Sequence, residues 1–276
     1  MRQLVIDMLI YPKVKIQYPM SLEREYAREL IKYVRKVRDI CKRHIPNMVD
    51  AAMWNAIHAD DWTEEQTEEI DKDITAEEEA AIMAIILAMF NRVKTFNRRQ
   101  QEAIFRSIFG STPKEISRAD YEKIRQIWVN QNIELIHSID RRTLESIRYT
   151  LSENIIRAVD RKILIEELAD SIMHMAEVNE KRAALIACDQ VGKLNSQLVQ
   201  LEQMNQGVDS YIWQTMEDSR VRKAHERRNK KPFRWDDPPD DGHPGWSYRC
   251  RCVAIPLYDT NKIGLQPKAG TFKIVR

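Results

Sequence analysis

Glycine is scarce in this chain: 276 residues contain 7 glycines, and none precedes Gly110. Proline is missing from long stretches as well, with none between Pro46 and Pro113 and none between Pro113 and Pro232. With so few breakers, about two thirds of the chain has almost no position at which a helix is forced to stop. No run of residues approaches the ~18–20 apolar positions that a membrane span requires. The longest candidate, Ala80 to Phe90, reads instead as the buried face of a helix. The apolar stretch near the N-terminus is interrupted by Asp7 and ended by Pro12, so a secretory leader is not expected. An excess of one charge sign is lacking too: 44 Lys and Arg face 42 Asp and Glu, a formal net charge of +2. Nucleic-acid binding would therefore have to come from a local patch. Cysteines are few, and Cys41 and Cys188 stand alone on predicted helices, so no disulfide framework is expected. Such a chain suits synthesis in a reducing cytoplasm. Also absent are the phosphate-binding Walker loop, the dinucleotide glycine fingerprint, the Gly-x-Ser-x-Gly elbow and the His-Glu-x-x-His zinc motif. These absences argue against an enzyme of the common classes.

What is present is helix, then a change of pattern. Ser21 is placed to cap a helix whose apolar stripe is Tyr26, Leu30, Tyr33, Val37 and Ile40, with Pro46 expected to end it or to start the next segment. Thr75 to Glu78 and Thr112 to Glu115 both have capping-box spacing, and each is expected to open a helix. Further helices are expected over 121–137, 143–158, 163–175 and 181–205. The acidic run from Glu64 to Glu79 reads as a solvated linker leading into a helix N-terminus. Past Gly207 the breakers crowd together and the periodicity falls to two, which predicts strands over 211–216, 233–235, 250–255 and 271–275. The expected fold is mainly α with a small α+β C-terminal subdomain: long helices followed by a loop-rich, strand-containing tip. The expected divisions are an N-terminal helical region over 1–110, a helical body over 111–206 and the α+β subdomain over 207–276.

Chemistry-bearing residues concentrate between Tyr211 and Pro256. His225, His243, Cys250 and Cys252 offer ligands of the type that suits zinc, and a Cys-x-Cys pair on a strand would aim both thiols to one side. Their order, His-x17-His-x6-Cys-x-Cys, is not a standard zinc-finger spacing. Three readings stay open. One is a structural zinc; another is a catalytic zinc with Asp218 or Glu226 as base; the third is no metal, with the histidines and Asp218 hydrogen-bonding the loop and its arginines. The segment is also locally basic. Arg227, Arg228, Lys230 and Lys231 lie close to Trp213, Phe233 and Trp235, an arrangement suited to DNA phosphates and bases. The alternative is that this basic surface pairs with Asp236, Asp237, Asp240 and Asp241 across the loop.

The ordered string Asp218-x-Arg220-Val221-Arg222-x-x-His225, Trp235-Asp-Asp-Pro-Pro239, His243-Pro244-Gly245, Cys250-Arg251-Cys252 and Pro256 closely resembles the C-terminal signature of the phage head-morphogenesis family, the Mu protein F-like minor head proteins. Ala183 to Ala187, Asp189, Gln190 and Asn195 resemble the helix that precedes it. The resemblance extends over about residues 113–257. It departs from the family at Asn229-Lys230-Lys231, where many members have a glycine, and at Gly245 to Arg249, which separate His-Pro from the first cysteine. The resemblance implies a multi-copy virion component in the head interior or at the portal vertex. Its implied partners are portal protein, major capsid protein and packaged genomic DNA, with no membrane involved. Two alternatives from other classes are a zinc-dependent hydrolase or nuclease using His225, His243 and Asp218, and a DNA-binding adaptor.

Overall fold

A computed structural model describes residues 8–58, 63–157 and 160–275. Asp7, invoked above against a leader, lies outside them, as do the side chains of Glu64 and Glu65. Four long helices dominate: α1 (Met20–His58), α2 (Thr63–Phe109), α3 (Arg118–Ile156) and α4 (Arg161–Asn205). The remaining elements are β1 (Leu9–Pro12), β2 (Ser210–Gln214), α5 (Lys223–Arg228), β3 (Pro232–Arg234), β4 (Val253–Asp259), α6 (Thr260–Ile263) and β5 (Phe272–Ile274). Among the described residues, no helix is long and apolar enough to cross a membrane.

The helices are longer than the local signals predict. Pro46 lies inside α1 rather than at its end. Thr75 lies inside α2, which opens at Thr63, so its capping-box spacing marks no boundary. The segments expected over 121–137 and 143–158 are one helix, and so are those expected over 163–175 and 181–205. The start of α3 is set five residues beyond Thr112, by Ser117. Its Oγ accepts from Asp120 N–H at 3.1 Å and donates to the Asp120 carboxylate at 2.7 Å. A capping motif thus works only where the chain is otherwise ready to turn; inside a continuous apolar stripe, burial overrides it.

The chain divides into two compact units that do not follow the sequence divisions at 110 and 206. One comprises Arg24–Ala88 and Val129–Ala187. Among the described residues its elements are all helices, and the stripe Tyr26, Leu30, Tyr33, Val37 and Ile40 is buried in it as the spacing predicts. Polar groups cross its core in pairs: Tyr26 donates to Asn132 at 2.7 Å, Tyr33 to Asp140 at 2.6 Å, and Asn179 to Thr143 at 2.9 Å. The acidic run lies within α2 rather than in a linker, and part of it is not simply solvated. Asp73 meets His44 at 2.8 Å and Glu78 meets Lys36 at 2.8 Å, tying α2 to α1.

The other unit comprises Met1–Glu23, Met89–Trp128 and Cys188–Arg276 and holds the sheet. Its five antiparallel strands run in the order β3-β2-β4-β1-β5. Sequence reading missed β1, which sits between β4 and β5 and brings residues from near the N-terminus into the C-terminal sheet. The expected third strand is displaced: it begins at Val253, after the two cysteines, and runs through Pro256 to Asp259. One core of this unit gathers Ile10, Ile16, Tyr18, Val253 and Tyr258 with Ile104, Phe105, Ile108 and Phe109 from the end of α2. Gly110, at φ 78°, then terminates that helix in the left-handed conformation.

Candidate functional site

Strand β2 is buried on both faces: Tyr211 and Trp213 share one face and are fully buried, and Ile212 and Gln214 are buried on the other. Tyr211 and Trp213 pack with Trp235, Val199 of α4, Cys250 and Cys252 into a second small core. The segments around it, 215–231 and 235–252, are mostly irregular, and side chains rather than a ladder hold them. Asp218 accepts from Arg220 N–H at 3.1 Å and from the guanidinium of buried Arg251 at 2.9 Å. Partial desolvation pulls the Asp218 carboxyl upward, but Arg251 and the Arg220 N–H outweigh it and keep the group below its ordinary range. Arg222 donates to the Tyr248 carbonyl, and Ser196 of α4 donates to the Pro244 carbonyl. Val221 N–H donates to the Asp218 carbonyl at 3.1 Å, closing the turn that precedes α5. Gly245, at φ 93°, has no room for a Cβ against Ser196 and the Gly192 carbonyl of α4, and Gly192 has none against the Cys250 carbonyl.

Helix α5 is short, and His225 is the residue it buries. Trp213 packs edge-on against the imidazole at 5.1 Å. His225 Nδ1 faces both cysteines, 3.4 Å from Cys250 Sγ and 3.6 Å from Cys252 Sγ. Its Nε2 faces Asp241 at 2.8 Å. Asp241 is held on its other oxygen by Arg228, whose guanidinium lies 5.1 Å over the Trp213 ring. His225, Cys250 and Cys252 form a cluster whose ligating atoms all lie within 4.8 Å of one another, and all three residues are buried. Contact with Cys250 raises the His225 pKa against the opposing effect of burial, with Asp241 adding to the rise. The two thiols are driven apart. Hydrogen bonds from the Cys252 thiol, His225 and the backbone N–H groups of Cys252 and Gly245 favour the Cys250 thiolate, and that negative charge, with burial, holds Cys252 protonated.

His243, the fourth ligand suggested by sequence, is placed elsewhere. Its Nδ1 pairs with the Tyr211 hydroxyl at 2.9 Å, and Trp235 and Trp246 pack edge-on against the ring at 4.8 and 5.0 Å. Burial lowers its pKa and favours the neutral ring. His225, His243 and Asp218 therefore have separate partners and do not converge on one point. The basic set is divided as well. Arg228 is committed to Asp241 and Trp213, while Arg227, Lys230 and Lys231 are exposed, with Lys230 3.6 Å from Glu217. Of the basic set, Arg228 thus meets Asp241 across the loop, whereas Asp236 pairs locally with Arg234.

Sequence reading overlooked two parts of this site. Asp241 was one acid among four in a loop, and only the fold selects it. Gly192, a glycine in mid-helix, carried a usable signal, because such a residue ordinarily costs stability and so implies a close approach. A cavity of about 320 Å³ adjoins the cluster, lined by His225, Cys250 and Cys252 together with Arg220, Arg222 and Arg249.

Residues 149–255 match the family described as Phage Mu protein F like protein. An uncharacterized protein of Haemophilus influenzae is 37% identical over 132 residues, which is 48% of this chain and 29% of that relative. The chain thus spans less than a third of that relative's length. No solved structure matches.

Proposed function

We propose, from the membership of residues 149–255 in the phage Mu protein F like family, that this chain is a minor head protein that associates with portal and capsid protein in the virion. The match supports a phage head-related protein; the portal association, the multiple copies per particle and the structural rather than catalytic role go further and are the proposal. The observation that carries the structural role is how the signature residues are used. Asp218 holds buried Arg251, Arg222 holds the Tyr248 carbonyl, and the Pro244 carbonyl is bonded to α4. A carboxylate committed to a buried arginine is poorly placed to act as a general base. The signature thus supports the building of a shaped surface more than the attack of a substrate. The long helices add extended, charged faces of the kind used for docking.

Proteomic analysis of purified virions and procapsids, with cross-linking to find nearest neighbours, tests this reading. The expected result is presence in both particles with cross-links to portal protein. Absence from both particles would overturn it. Cross-links to DNA alone would favour the adaptor reading instead.

A further inference from the structure

We propose that His225, Cys250 and Cys252 form a zinc site, with His243 excluded and the fourth coordination position opening into the arginine-lined cavity. Zinc binds thiolate sulfur at ~2.3 Å and imidazole nitrogen at ~2.0–2.1 Å, so two such ligands on a tetrahedron stand ~3.6 Å apart. His225 Nδ1 lies 3.4 and 3.6 Å from the two sulfurs, so both nitrogen–sulfur edges already have that length. Two sulfurs and an imidazole also select zinc over magnesium or calcium, which take oxygen.

The surroundings match those of a metal-binding histidine. A ligating imidazole usually gives its other N–H to a carboxylate, which fixes the tautomer and the ring plane. Asp241 stands 2.8 Å from Nε2 in that role and is itself held by Arg228. Gly245 N–H points at Cys250 Sγ from 3.4 Å, a contact that stabilises a thiolate. The charges balance: two thiolates offset the dication, and Arg228 offsets Asp241. The loop also has use for a cross-link, because no helix or strand covers residues 235–252. Joining α5 to the residues just ahead of β4 would fasten the C-terminal end of that loop.

His243 has its Nδ1 on Tyr211 at 2.9 Å and lies outside the cluster. The three ligands form part of the wall of the cavity, so the position they leave is reached from it. Arg220, Arg222 and Arg249 line the same cavity.

The test is X-ray absorption spectroscopy on the full chain purified with zinc and dialysed, together with metal analysis. One zinc per chain, with a shell of two sulfurs and two nitrogen or oxygen atoms, is expected. His243→Ala should keep the metal, while His225→Ala and Cys252→Ser should lose it; Cys41→Ser and Cys188→Ser should leave both sulfurs in the shell. The wild-type spectrum decides the matter even where a ligand variant fails to fold. Three results would each overturn the site: no bound metal, a shell without sulfur, or metal lost with His243→Ala in a protein that still folds. A metal-free protein whose Cys250 alone reacts rapidly with an alkylating probe would assign the cluster to thiol chemistry instead.

Discussion

Gly245 lies so close to the Gly192 carbonyl that it has no room for a methyl group. A Cβ added at 245 would lie 2.9 Å from the Gly192 carbonyl, and one added at 192 would lie 2.9 Å from the Cys250 carbonyl. Gly245→Ala also forces a side chain onto a φ of 93°, and it is expected to cost on the order of 2–4 kcal/mol. Gly192→Ala is the sharper case. Alanine for glycine inside a helix ordinarily gains about 1 kcal/mol, yet here the backbone contact should reverse the sign. Urea midpoints for the two variants check this; a raised midpoint for Gly192→Ala would show that the loop can move away.

Arg251 is 6% exposed and depends on Asp218, which is 38% exposed. Removing the acid leaves a buried cation with its main partner gone. Full burial of both would make the loss 3–5 kcal/mol, but solvent at Asp218 reduces it to about 1–3 kcal/mol. Asp218→Ala should therefore destabilise, and adding Arg251→Met should recover most of the loss. A double-mutant cycle measures the coupling, and additive losses would disprove it.

Asp140 gives the helical unit a pH dependence. Burial lifts its carboxyl to about 7, with the Tyr33 hydrogen bond opposing and Asp71 adding to the rise. Its Oδ1 has no hydrogen-bond partner among the described residues. His137, Arg141, Arg148 and Glu78 line the same cavity of about 460 Å³. A pKa raised on folding means that the native state holds the proton more tightly. The stabilisation is fully present below the unfolded value near 3.8 and is lost as pH rises through about 7. Asp140→Asn should flatten that slope and stabilise the protein at pH 8 by on the order of 2–4 kcal/mol. Thermal melts at pH 5 and pH 8 read the difference, and parallel shifts in both proteins would refute it.

Pro46 interrupts the hydrogen-bond ladder of α1 from an exposed position. Replacing it restores an N–H donor and removes a ring that crowds the preceding turn. Pro46→Ala is expected to raise stability by about 1–3 kcal/mol. A lower melting temperature would mean that the helix packs around a bend the proline imposes.

Much of the fold was legible because burial writes a periodic pattern. The stripe from Tyr26 to Ile40 was read from spacing and is buried accordingly, and the strand read at Tyr211 is present but buried on both faces. Helix ends were misread at Pro46 and Thr75, where a local signal competes with a continuous apolar face and loses, and at Thr112, where Ser117 caps the helix instead. Strand β1 was missed because four residues carry too little pattern; its identity depends on neighbours distant in sequence. In the site, residue types pointed to the right segment, and Cys250, Cys252 and His225 meet there. Which histidine joins the cysteines was not legible, because it depends on Tyr211 and Asp241 closing around the two rings.

The placement of β1 sets a timetable for synthesis. Met8 bonds to Thr260 across 252 residues, and Leu9 pairs with Asp259 in the adjoining ladder. At ~5–20 residues per second, a ribosome needs on the order of 10–50 s to travel that distance. The central strand order cannot be completed before then, whereas α1 and α2 can form within microseconds of emerging. Until β4 arrives, β1 is an unpaired edge with apolar side chains, open to pairing with another nascent chain. Sheet closure is thus expected to follow helix formation, and overproduction of this protein should aggregate through that strand before it fails anywhere in the helices.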